Sequence, residues 1–229
     1  MDKFVTQQGF TSLTIDLEII QRPLQFLSDF FYEYPSPDAH KAIARMIEAM
    51  IKGKNRKKIF SQAANITYFY EKMVMLAEVC WLIHSQEPAR SYIITEEVSK
   101  DQQKLFEPCL FAPIDLHCKA WDYFPRYLKI KELLCPYRVL WKFFKYMPLS
   151  KWKENLNIML HNALSRNPIS ISNEDLNVYQ LANLLHKLVD ACNVIYVREL
   201  NSTSPDNNLI HNDQQHQTIQ ENQHTSFQA

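Results

Sequence analysis

An all-α fold follows from three observations: glycine is nearly absent, apolar residues recur every three or four positions, and one helix-sized motif is written twice. Two glycines, Gly9 and Gly53, stand among 229 residues, about 1% against a usual ~7%. Primed hairpin turns and barrel corners depend on glycine, so a β-rich fold is not expected. The repeated motif is PLQFLSDFFYEYP at 23–35 and PYRVLWKFFKYMP at 136–148, 113 positions later. Pro23/Pro136, Leu27/Leu140, Phe30/Phe143, Phe31/Phe144 and Pro35/Pro148 are identical.

Each copy opens a three-helix unit. The first helix starts at Pro23 or Pro136, where a missing N–H costs nothing in a first turn. It ends before Pro35 or Pro148, because proline disfavours helical geometry in the residue before it. The second helix is expected near 37–52 and 150–165, with Ser36 and Ser150 as N-caps. Along it Ile43, Met46, Ile47 and Ile51 correspond to Leu156, Met159, Leu160 and Leu164, the spacing of one helix face. The third helix is expected near 59–87 and 173–199, with Ser172 capping the later copy. There the offset falls to 112, and Leu76, Cys80, Ile83 and Glu87 meet Leu188, Cys192, Ile195 and Glu199. One unit alone leaves its apolar stripe in water, so duplication supplies the covering face.

The remaining segments complete the expected organisation: an N-terminal arm (1–22), unit one (23–87), a helical connector (88–135), unit two (136–200) and a tail (201–229). IDLEIIQRP (15–23) and LKIKELLCP (128–136) also correspond. The alternation of Ile15, Leu17 and Ile19 suits a short strand or an extended arm. In the connector, Ser99 and Gln102 fit a capping box, and AWDYFPRYL (120–128) reads as helical up to Pro125. The tail is rich in Asn, Gln, His and Ser with one aromatic, a composition that cannot sustain a core and reads as disordered.

Composition excludes several functions. The two glycines cannot build a GxGxxG or GxxxxGK[ST] phosphate loop or a GxSxG nucleophile elbow. Formal net charge is zero, with 25 basic and 25 acidic residues, so nothing global favours nucleic acid or membrane. No apolar run approaches about 18 residues and the N-terminus lacks a signal-peptide core, so no membrane association and a cytoplasmic location are expected. The five cysteines, Cys80, Cys109, Cys118, Cys135 and Cys192, contain no CxxC pair and read as reduced, mostly buried thiols. Among eight histidines there is no HExxH. Cys109, His117, Cys118 and Cys135 match no familiar zinc spacing, so no metal or cofactor is expected.

The feature that points toward function is a charge inversion between the copies. Asp16, Glu18, Asp29 and Asp38 correspond to Lys129, Lys131, Lys142 and Lys151. Residues 126–154 hold eight Lys/Arg and two acids, whereas 13–41 hold five acids and two bases. An acidic face on one unit can meet a basic face on the other, within a molecule or between molecules. A non-enzymatic interaction or scaffold protein, with a protein partner or self-association, is the resulting expectation. The alternative is a nucleic-acid-binding regulator using 126–153, where cations interleave with Tyr127, Tyr137, Trp141, Phe143, Phe144, Tyr146 and Trp152. KGKNRKK (52–58) carries five cations and reads as a solvated helix end. Glu87 and Glu199 are expected to be structural carboxylates, bonded to free N–H groups of the second helix or to His40 or Lys153. Glu78 and Asp190, two positions off the apolar stripe, are expected to face solvent.

Overall fold

Proline sets the helix boundaries. The computed structural model describes residues 13–52, 56–86, 106–113, 119–165 and 177–199, and of 52 and 56–62 the backbone only. Among the described residues there are nine α-helices and no strand, so the molecule is mostly helical and all-α. The helices are α1 (Leu17–Gln21), α2 (Pro23–Glu33), α3 (Ser36–Lys52), α4 (Arg56–Gln86) and α5 (Ala120–Tyr123). They continue with α6 (Ile130–Leu134), α7 (Tyr137–Tyr146), α8 (Leu149–Leu164) and α9 (Val178–Glu199). A 3-10 turn occupies Pro108–Leu110.

Pro23 opens α2 and buried Pro136 precedes α7. The carbonyls of Pro35 and Pro148 accept the first bonds of α3 and α8, from Ala39 N–H at 3.0 Å and Trp152 N–H at 3.1 Å. Ser150 is therefore not a cap. It lies inside α8, whose N-cap is Pro148, and no side chain caps that end. At α9 the side chain of Asn177 accepts from Gln180 N–H at 3.0 Å and does the capping. Ser172, Ser99, Gln102, residues 1–12 and residues 201–229 lie outside the described residues.

Two further expectations change. The 15–23 and 128–136 segments form the short helices α1 and α6 rather than strands. Ile15 is buried and Ile19 half-buried while Leu17 is exposed, so the apolar spacing in use is i, i+4 rather than i, i+2. Around AWDYFPRYL only 120–123 is helical, because Phe124 precedes a proline and is extended.

One large core joins the two halves, and a separate smaller cluster gathers Phe111, Leu133 and Val194. Leu27, Phe30, Leu140, Phe143, Ile43, Met46, Leu156, Met159, Leu76, Leu188, Ile83 and Ile195 all lie inside the large core. The packing crosses between the halves of the sequence. Helix α3 lies against α8 and α9, and α8 lies against α3 and α4. Over residues 73–83 and 185–195, helices α4 and α9 are buried on nearly every side, which requires a largely apolar circumference rather than a stripe. Where they approach each other, the thiols of Cys80 and Cys192 are 3.1 Å apart and fully buried.

Candidate functional site

The helices that are buried all round carry the acids that the apolar stripe appeared to place in solvent. Glu78 on α4 and Asp190 on α9 are fully buried. A lone ionised carboxylate in such surroundings is prohibitive unless it is paired and hydrogen-bonded. Glu78 accepts from Lys153 Nζ of α8 at 2.6 Å, and from Thr14 N–H at 2.9 Å and Thr14 Oγ1 at 2.8 Å. Asp190 accepts from His40 Nε2 of α3 at 2.7 Å and from Tyr127 N–H at 2.8 Å. Each carboxylate thus joins a second helix from the other half of the sequence to a backbone N–H from its own half. The positions correspond at the offsets of 113 and 112: Thr14 with Tyr127, His40 with Lys153, Glu78 with Asp190.

His40 also faces His186 of α9, with Nδ1 to Nδ1 at 2.8 Å, one nitrogen donating and the other accepting. The His186 ring stacks on Tyr127 at a centroid distance of 4.3 Å. Burial, assisted by the adjacent His40, pulls the His186 pKa down to about 4. A third buried acid, Glu132 of α6, accepts from Lys142 Nζ at 2.7 Å, Lys187 Nζ at 3.0 Å and Lys129 N–H at 3.1 Å. Burial raises its pKa, but Lys142, the Lys129 N–H and Lys187 together outweigh that and hold it at about 2. Arg198 of α9 donates to the carbonyls of Leu133 at 2.7 Å and Leu134 at 3.3 Å, closing the C-terminus of α6.

The eight inverted charges fall into two groups. Asp38 pairs with Lys41 on α3 at 2.9 Å, and Lys151 pairs with Glu154 on α8 at 3.0 Å. The same i, i+3 pair is present on both helices with its signs exchanged. Lys142 is bound to Glu132 on its own half. Asp16, Glu18, Asp29, Lys129 and Lys131 are exposed. Asp16 and Glu18 flank Leu17, which is 76% exposed, and Lys129 and Lys131 flank Ile130, 65% exposed. An exposed acid–apolar–acid triplet therefore stands at the start of α1 and an exposed base–apolar–base triplet at the start of α6.

Glu199 accepts from Tyr137 Oη of α7. His40 and Lys153, its expected partners, instead serve Asp190 and Glu78. Glu87 lies outside the described residues. Helix position alone misplaced the acids, but one signal could have found them. VMLAEVCWLI (74–83) embeds Glu78 in an otherwise apolar run, and LVDACNVI (188–195) embeds Asp190 in a mostly apolar one, as a helix buried on all sides would.

In the basic aromatic stretch, Tyr137, Phe143 and Trp152 are buried, with Phe143 and Trp152 stacked at 3.8 Å. Of its cations, Lys145 lies over Trp141 at 4.6 Å, and Lys142, Lys151 and Lys153 are paired with acids. The side chains of KGKNRKK, His117 and Cys118 lie outside those described. Among the described residues no three His, Cys, Asp or Glu side chains gather in metal-binding geometry, and no helix is long and apolar enough to cross a membrane. No protein-family model, curated protein or solved structure matches the chain.

Proposed function

We propose that the chain is a non-enzymatic interaction protein of the cytosol, built from two related helical units, which associates with copies of itself. The carrying observation is the pair of opposite triplets, Asp16–Leu17–Glu18 and Lys129–Ile130–Lys131, each with an exposed apolar residue between like charges. Brought together between molecules, they cover Leu17 with Ile130 and neutralise four charges. Because the two patches differ, the contact is head-to-tail and leaves a free patch at each end, so it propagates or closes into a ring. Such a patch is far smaller than the roughly 1,600 Å² of a standard stable interface, so the association is weak and reversible. Two units are supported by the matching helix boundaries, with α1, α2, α3 and α6, α7, α8 set 113 positions apart, and by the corresponding cross-unit contacts of Lys153 with Glu78 and His40 with Asp190. The nucleic-acid alternative has less support, since Tyr137, Phe143 and Trp152 are buried in the core and Lys142 and Lys153 are paired with acids.

Sedimentation velocity over a concentration series tests this. Raising salt from about 0.1 M to about 1 M shortens the screening length from roughly 10 to 3 Å and should drive the weight-average mass toward the monomer. Lys129→Glu/Lys131→Glu should abolish association. Adding Asp16→Lys/Glu18→Lys should restore it. Association that ignores both salt and charge reversal refutes the contact.

A further inference from the structure

A cavity of about 370 Å³ opens between α2, the 108–113 segment, α5 and α9. Its walls include Phe31, Phe111, Tyr123 and Tyr196, with Ser28 and Ser36 also lining it. Tyr32, 91% exposed, stands at its rim. Volumes from about 300 Å³ upward accommodate small organic ligands. Size alone would not distinguish this cavity from a packing gap.

The distinguishing observation is Asn193. It lines the cavity, is only 4% exposed, and its side-chain Nδ2 is buried without a hydrogen-bond partner. Buried polar groups nearly always have partners, and leaving one unmet costs roughly 1–3 kcal/mol. A leucine or methionine at this position would avoid that cost entirely. At the 112-residue offset the matching residue of the first unit is Trp81, so the amide belongs to one half only. The lining also contains no Asp, Glu, Lys, Arg or His. A charged ligand would lose its hydration and gain no counter-charge. Aromatic walls favour a flat partner, which they can stack against or meet edge-on; Phe31 and Tyr196 are already stacked, at 5.7 Å and 25°.

We propose that this cavity is a binding site for a small, uncharged, planar molecule carrying a hydrogen-bond acceptor, which accepts from the Asn193 amide. Binding satisfies the orphaned N–H and covers the aromatic walls. The site is independent of the charged triplets on α1 and α6, so its occupancy does not require self-association.

Prodan, a neutral naphthalene ketone whose emission shifts to the blue in apolar surroundings, is a suitable probe. The full chain should bind it saturably, one per molecule. Asn193→Leu removes the donor at similar volume and should weaken binding about tenfold, the equivalent of one hydrogen bond of about 1.4 kcal/mol, while leaving the melting temperature unchanged or higher. Ala112→Trp, which fills the cavity from a half-buried position in the 108–113 segment, should abolish binding with the fold intact by circular dichroism. No saturable binding by the unaltered chain, or equal affinity in all three proteins, overturns the proposal.

Discussion

Replacing Glu78 by Gln keeps the side-chain volume but leaves Lys153 facing a neutral amide. At the observed 2.6 Å, the pair's Coulomb attraction is about 6 kcal/mol at an effective dielectric of about 20. Part of that is recovered, because the Lys153 side chain is 24% exposed and can turn toward water. Thr14 is exposed and rehydrates its N–H at little cost. Breaking one side of a buried pair costs about 3–5 kcal/mol, and these escapes place Glu78→Gln near 3 kcal/mol. For a chain of this size that lowers the melting temperature by about 6–12 °C. Lys153→Met should cost more, since the carboxylate it strands is fully buried. The double variant Glu78→Leu/Lys153→Met should return close to the starting stability, because an apolar pair of similar volume replaces a buried ion pair with little loss. Urea unfolding of the four proteins gives the comparison. A loss below about 1 kcal/mol for Glu78→Gln, or a double variant worse than both singles, would refute the assignment of Glu78 as a buried, paired acid.

Three further outcomes follow from the same coordinates. His186 is neutral when folded down to about pH 4, whereas the unfolded chain protonates it near 6.5; the unfolded state therefore holds more protons in that window, and stability falls as pH drops from 6.5 to 4. His186→Phe, which keeps the stack on Tyr127, should remove about 2 kcal/mol of that fall, after allowance for solvent screening around half-buried His40, and an unchanged pH slope would refute it. Glu132 behaves oppositely: its folded value of about 2 lies below 4.5, so its contribution is present above pH 4.5 and is lost as pH falls through 2. Glu132→Gln should cost about 2 kcal/mol at pH 7, with the gap to the unaltered chain closing by pH 2. Iodoacetamide labelling read by peptide mass spectrometry should modify exposed Cys109 in the native protein and spare Cys80, Cys135 and Cys192, which are buried; for Cys80, burial and its neighbour Cys192 also raise the thiol pKa.

The contrast between what could and could not be read from the sequence has a physical basis. Pro23, Pro35 and Pro148 fixed their helix ends to within a residue, because a ring without an N–H acts locally and does not depend on tertiary structure. Leu27, Phe30 and Met46 were legible for the same reason: their helices present one apolar face, and period 3.6 locates it. Helices α1 and α6 span five residues each, too few for a helical period to separate from alternation. Glu78 and Asp190 were misplaced because the stripe through Leu76, Cys80 and Ile83 looked sufficient. On a helix enclosed on all sides the opposite face is equally buried, and only a partner brought from another helix decides whether an acid can stay there. His40 and Lys153 lie 150 and 75 positions from their acids, so no local pattern reports the match. Asn193 was equally hidden, since an amide in a helix shows its missing partner only when the surrounding walls are known.

The crossed pairing also determines what the two halves can do apart. His40 reaches Asp190 and Lys153 reaches Glu78, each across the division between the halves, and α3 and α8 pack on α9 and α4 respectively. A fragment ending near residue 87 keeps Glu78 in α4 but loses the lysine that compensates it, along with helix α8, which packs against α3. It would hold a stranded acid and an open apolar stripe, and either deficit alone is comparable to the few kcal/mol by which domains are stable. Fragments 13–87 and 119–200 should therefore be largely unfolded when expressed singly, with little cooperative melting by circular dichroism. Mixed in equal amounts they should associate and regain a single cooperative transition, since each supplies the other's second helix and a hydrogen-bond donor for its buried acid. The association should weaken sharply with Lys153→Met in the second fragment, which strands Glu78 across the new interface. An isolated first fragment that melts cooperatively would mean that α3 and α4 find a sufficient core without α8 and α9, and the crossed ion pairs would then be accessories to the fold rather than conditions for it.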